Sequence, residues 1–133
     1  MKEEVLTIDI TVTGANEVKG TTGEACMILF EGDVDCKNFK GKVLPGGVDT
    51  QKQWYGESRS LSARYIIQGT DFTGEACNIF IENNGAFEMD GSIVTHPRIF
   101  TDSKALAYLE TADLTGTVTG TPKGVMIHIY MSK

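Results

Sequence analysis

The chain has 133 residues, 41% hydrophobic and 23% charged, with a formal charge of −6 and a pI near 4.8. A chain of this length suits one domain over residues 1–133 and can bury a core without disulfides or metal, while its acidic balance and scattered Lys and Arg argue against a nucleic-acid partner. No apolar stretch reaches the roughly eighteen residues of a membrane span, and no signal core follows Met1-Lys2-Glu3-Glu4, so the expectation is a cytoplasmic protein with no membrane association.

Val5 to Thr13 alternates strictly, Leu6, Ile8, Ile10 and Val12 against Thr7, Asp9, Thr11 and Thr13, which is the pattern of a half-buried strand. Gly14 to Gly23 reads as a polar loop, and Glu24 to Glu31 as the next strand. A third strand from Phe39 to Leu44 stops at Pro45-Gly46-Gly47, where proline removes a ladder donor and the glycines permit positive φ. Gln51 to Tyr55, around the only tryptophan, reads as a short strand or an aromatic loop, and Ser60 to Gln68 alternates again. Asn84-Gly85 predicts a tight hairpin turn, followed by a return strand from Ala86 that ends at His96-Pro97. Thr101 to Glu110 offers an N-cap and an apolar face, predicting one short helix over about Asp102 to Glu110 that covers a barrel end through Tyr108 and Leu109. Two closing strands, Leu114 to Thr121 and Val125 to Met131, flank the turn at Pro122-Lys123-Gly124.

The densest signal is internal. Thr73-Gly74-Glu75-Ala76-Cys77-Asn78-Ile79-Phe80-Ile81-Glu82 repeats seven of the ten residues of Thr22 to Glu31, fifty-one positions earlier, and Ser60 to Gln68 aligns with Val5 to Thr13. With short turns between many strands, this predicts an all-β fold: an antiparallel barrel of about eight strands, built from two pseudo-symmetric halves, with one short helix. A pseudo-twofold should then superpose the strands that hold Cys26 and Cys77.

Gly41-Lys42-Val43-Leu44-Pro45-Gly46-Gly47-Val48-Asp49, Ala63-Arg64-Tyr65, the Ile79-x-Ile81-x-Asn83-x-Gly85 run and Pro97-Arg98-Ile99-Phe100-Thr101 ahead of Tyr108-Leu109 together resemble domain-of-unknown-function family 3237. The resemblance spans roughly residues 4 to 131. It implies a β-barrel and carries no catalytic roles.

A small barrel either fills its interior or holds one small ligand there. Asp49, just past a glycine-rich bend, is placed to act as proton or hydrogen-bond acceptor at a barrel mouth, or else caps turn N–H groups. Tyr65 lies on the apolar register of its strand, so its hydroxyl needs a partner or a ligand. Asn78 and Glu82, with Arg64, form a polar interior lining if they point inward and ordinary surface if they do not. Asn83, His96 and Arg98 are expected near Asp49, at a barrel end distinct from the one carrying the two TGEAC loops. The two histidines are too isolated for a metal site. Three cysteines without paired spacing indicate neither a disulfide framework nor bound zinc. No phosphate loop, G-x-S-x-G elbow or H-E-x-x-H motif is present, so no cofactor is expected.

The functional expectation is a barrel binding a small polar or aromatic molecule through Asp49, Tyr65, Asn78, Glu82, Asn83, His96 and Arg98. The alternatives are an isomerase, cyclase or lyase on the same barrel, and a packed structural module that forms homo-oligomers through edge strands.

Overall fold

Alternation of inward apolar and outward polar residues, carried through strand after strand, closes this chain on itself. The computed structural model describes residues 1–133. Its strands are β1 (Lys2–Lys19), β2 (Gly23–Asp35), β3 (Phe39–Val43), β4 (Val48–Trp54), β5 (Ser60–Asp71), β6 (Ala76–Phe87), β7 (Ile93–Thr101), β8 (Leu114–Thr121) and β9 (Gly124–Ser132). All neighbours are antiparallel and form one sheet that closes into a ring where β1 pairs with both β2 and β9.

Nine strands occupy eight positions around that ring. β3 and β4 run in the same direction between β2 and β5, β3 pairing one end of each and β4 the other. They are one return strand broken at Pro45-Gly46-Gly47. Gly46 sits at φ +107, which an L side chain rarely adopts, and a Cβ at Gly47 would lie 3.0 Å from the Phe30 ring. The barrel expected from the sequence is therefore present as an up-and-down meander.

The chain's direction fixes two unlike ends. At one end lie the β2–β3 and β5–β6 turns and a single 3-10 turn, η1 (Ala107–Glu110). This stands where a longer helix was expected, and it plugs the barrel through Leu106 and Leu109, at 0% and 1% exposure, whereas Tyr108 is 41% exposed. The other end carries the turns β1–β2, β4–β5, β6–β7 and β8–β9.

The repeat survives locally but not as a barrel symmetry. Cys26 and Cys77 both belong to the second strand of a hairpin, β1–β2 and β5–β6, and all three cysteines are free. Those hairpins lie three positions apart in a ring of eight, and an odd step in an antiparallel meander reverses strand direction. No rotation about the barrel axis superposes them, and the two TGEAC segments begin at opposite ends. Register differs as well: Gly69 faces Cys77, but Gly14, its aligned counterpart, faces Leu29, and the β1–β2 pairing runs on through Lys19↔Glu24. The expected loop at Gly14 to Gly23 is thus mostly strand, with only its tip turning.

Two other expected chain breaks are continuous strand instead. Asn84-Gly85 lies inside β6, and the reversal comes later, between Phe87 and Ile93. Gly85 is needed for close approach instead, since a Cβ there would lie 2.5 Å from the Val94 carbonyl oxygen. Pro97 is likewise mid-strand, opposite Asn83. The β7–β8 ladder has already stopped at Thr95, so a proline without an N–H costs no rung on that side.

Candidate functional site

Inward residues on the half of the barrel away from η1 do not fill it. They leave a cavity of about 140 Å³. Its walls are apolar, from Ile10 and Val12 on β1, Ile28 and Phe30 on β2, Leu61 and Ala63 on β5, Ile93 on β7, Val118 on β8, and Val125 and Ile127 on β9. Asp49, Gln51 and Asn83 are the polar members of the lining.

Register brings these groups together. Asp49 of β4 faces Ala63 of β5, which faces Asn83 of β6, so one row of the sheet presents a carboxyl and an amide on either side of a small residue. The two backbones stand about 10 Å apart, two interstrand spacings. Ala63 leaves that space open.

Asn83 is 1% exposed and its Oδ1 accepts no hydrogen bond from the protein. Asp49 Oδ1 is also buried and without a protein partner, whereas Asp49 Oδ2 accepts from Gln51 Nε2 at 2.8 Å. Burial pushes the Asp49 carboxyl above its ordinary range, against the Gln51 hydrogen bond, the Ser62 backbone N–H and the Arg59 charge. Tyr65 and Thr95 bury unpartnered hydroxyls on the same inner face. Tyr65 packs edge-on against the cavity-lining Phe30 with ring centroids 5.3 Å apart, and burial raises its phenol pKa, so it stays a protonated donor.

A polar chain runs from the cavity to its mouth. Gln51 Oε1 accepts from Arg59 Nε at 2.9 Å, and the Arg59 guanidinium reaches Glu24 Oε1 at 3.0 Å. Arg59 and Glu24 side chains are 21% and 19% exposed, so this ion pair is largely withdrawn from water. Asp49, Gln51, Arg59 and Glu24 thus form one hydrogen-bonded line from interior to rim.

Of the residues singled out in the sequence, Asp49, Tyr65 and Asn83 point inward and share this half of the barrel. Asn78, Glu82, His96 and Arg98 do not. On β6 the inward set is Cys77, Ile79, Ile81 and Asn83, so Asn78 and Glu82 fall on the outer face by parity. Glu82 pairs there with Arg64 at 3.0 Å, and Asn78 uses its backbone N–H to donate to Asp102 Oδ1. On β7, Thr95, Pro97 and Ile99 are inward, which turns His96 and Arg98 outward and separates Arg98 from Asp49 by the thickness of the sheet.

Gln51, Arg59 and Glu24 escaped the sequence reading. β4 has no apolar alternation to mark its inner face, and Arg59 lies in the loop beside it. Asn83 had a legible signal, because it continues the odd-numbered register of Ile79 and Ile81.

No group of three or more His, Cys, Asp or Glu residues is arranged to hold a metal ion. No helix is long and apolar enough to cross a membrane.

Comparison with known proteins places this geometry among relatives. A family model described as "Protein of unknown function (DUF3237)" matches residues 3–95. A UPF0311 protein from Clostridium acetobutylicum is 35% identical over 136 aligned positions, covering 97% of this chain and 82% of that protein. The crystal structure of a protein with unknown function from Clostridium acetobutylicum, 28% identical, matches over 100% of this chain and 99% of that one, with a TM-score of 0.85. An enzyme from Penicillium herquei, 16% identical, shares the fold with a TM-score of 0.77 over 99% of this chain and 94% of its own.

Proposed function

This chain belongs to the DUF3237 family, and from that premise, which brings no chemistry with it, we propose that it binds a compact neutral molecule inside the barrel, in the cavity beside Asp49 and Asn83. One observation carries the reading: an apolar cavity into whose walls two buried acceptor atoms are built without protein donors. Each such atom costs roughly 1–3 kcal/mol unless something satisfies it. A ligand with a hydroxyl, amine or amide N–H does so, and its remaining surface meets Ile, Val, Leu and Phe side chains.

Size and charge narrow the class. An apolar protein cavity of about 150 Å³ accommodates benzene, so the 140 Å³ here suits one ring or a short branched chain. Asp49 is the titratable group of the lining and is an acid, which disfavours an anionic ligand. The three unpaired cysteines suit a reducing compartment such as the cytoplasm.

A second reading, proton transfer on the bound molecule, is favoured by the raised pKa of Asp49. A carboxyl lifted by burial towards neutrality is a better-matched general base than an exposed one, as isomerase, cyclase or lyase chemistry requires. Asn83 would then orient the substrate. A filled barrel acting only as a structural module fits the open cavity less well.

The test is a fragment screen of single-ring alcohols, amines and amides followed by backbone chemical shifts. Binding should move the amides of Asp49, Ala63, Asn83 and Ile127. Shifts confined to the plugged end, around Phe72 to Glu75 and Leu106 to Leu109, would overturn the placement. Catalysis, as opposed to binding, requires that Asp49→Asn retain the fragment and lose turnover.

A further inference from the structure

The outer face of β5, β6 and β7 carries a row that a solvated barrel wall does not need. Ile66, Phe80 and Phe100 are cross-strand partners, side by side. Ile66 is 39% and Phe100 66% exposed, and the Phe80 and Phe100 rings stack with centroids 6.0 Å apart. Stacked exposed aromatics of this kind mark contact surfaces more than they mark free ones.

We propose that this face is where two copies of the chain meet, about a twofold axis that runs along the Ile66–Phe80–Phe100 row, with Phe100 packed against its symmetry mate. The occupant is a second copy because the charges around the row complement themselves. Arg98 lies two residues before Phe100 on β7, about 7 Å along the strand from it, and Asp102 lies two residues after Phe100, in the bend just past the end of β7 at Thr101. A twofold along the row carries Arg98 of one copy opposite Asp102 of the other, twice, and sets Phe100 on Phe100. The other twofold that keeps the strands of the two faces aligned, along the strands through β6, sets Arg64 opposite Arg98 of the mate, and like charges in apposition oppose it. The pattern therefore selects one axis of the two.

Neither charge is taken up by an ion pair within the chain. Glu82, between Arg64 and Arg98 in the same row, pairs with Arg64, and Arg98 has no ion pair within the chain. Asp102 uses Oδ1 for the Asn78 N–H, which fixes its carboxylate and leaves Oδ2 for the mate. The interface is isologous and closed, so it stops at two copies. It also differs from the edge pairing expected from the sequence. One such edge is β1 beyond its last β9 partner at Thr11, where residues 13–19 present it at the cavity end.

Sedimentation equilibrium from micromolar to millimolar chain tests this. The parent should show a reversible dimer, Phe100→Ser should weaken it at least about tenfold, as loss of a central aromatic does, and Arg98→Asp should weaken it similarly. Combining Arg98→Asp with Asp102→Arg should restore association, which only the row-parallel axis explains. Unchanged circular dichroism in each variant confirms that these exposed positions leave the barrel intact. A parent that stays monomeric throughout, a double variant no better than Arg98→Asp, or a dimer abolished by Asn16→Pro on β1 but untouched by Phe100→Ser would overturn the proposal.

Discussion

Replacing Asn83 by leucine should make the protein more stable and at the same time unable to bind. Asn83 is 1% exposed with its Oδ1 unpartnered, and an unsatisfied buried acceptor costs about 1–3 kcal/mol. Leucine has similar bulk, carries no such acceptor, and has the adjoining 140 Å³ cavity to absorb the difference in shape. At about 2.1 cal/mol/K per residue, 133 residues give an unfolding entropy near 280 cal/mol/K, so each kcal/mol moves Tm by about 3.6 °C. The expected rise in Tm is about 4–11 °C by differential scanning calorimetry, accompanied by loss of the fragments that shift the parent's Asp49 and Ala63 amides. Stability sacrificed at one inward position is what a binding site requires and a packed core does not. A lowered Tm for Asn83→Leu would show that the amide is structurally satisfied and would remove the main support for the cavity as a site.

Asp49→Asn should raise Tm at pH 7 and lose that advantage in acid. The folded-state pKa is raised, so between the unfolded value of 3.8 and the folded value the native state holds a proton that the unfolded state has released, and the parent loses stability as pH rises through that window. A gap between variant and parent that is the same at about pH 3 and pH 7 would contradict the burial of this carboxyl. Gly46→Val should cost about 1–3 kcal/mol because of the φ of +107, and Gly47→Val should also destabilise by crowding Phe30; unchanged melting of both would refute the strand break as a structural requirement. Leu109→Ala, at 1% exposure, should cost about 2–5 kcal/mol while leaving fragment binding unchanged, because it lies at the opposite end of the barrel; a loss of binding at temperatures where the variant is folded would mean the two ends are coupled.

Sequence alone determined the barrel, because alternation is a local property: Leu6, Ile8 and Ile10, or Leu61, Ala63, Tyr65 and Ile67, state their inner face within one strand. Asn83 was legible by the same rule, in step with Ile79 and Ile81. What depends on the order of strands around the ring was not legible. Sequence similarity between the two TGEAC hairpins does not reveal that they lie an odd number of positions apart, which reverses one of them and sends their loops to opposite ends. The same limit applied to Asp49 and Arg98: both stand near prolines that looked equivalent, yet Pro45 breaks a strand whereas Pro97 continues one, so one charge turns inward and the other outward. Asn84-Gly85 is a strong local turn signal that lost to a tertiary requirement, the close approach of Val94 to Gly85. The cavity, finally, is what the inward side chains of several separate strands leave unfilled when the sheet closes, and the pairing register of β4, β5 and β6 sets Asp49, Ala63 and Asn83 in one row of its wall.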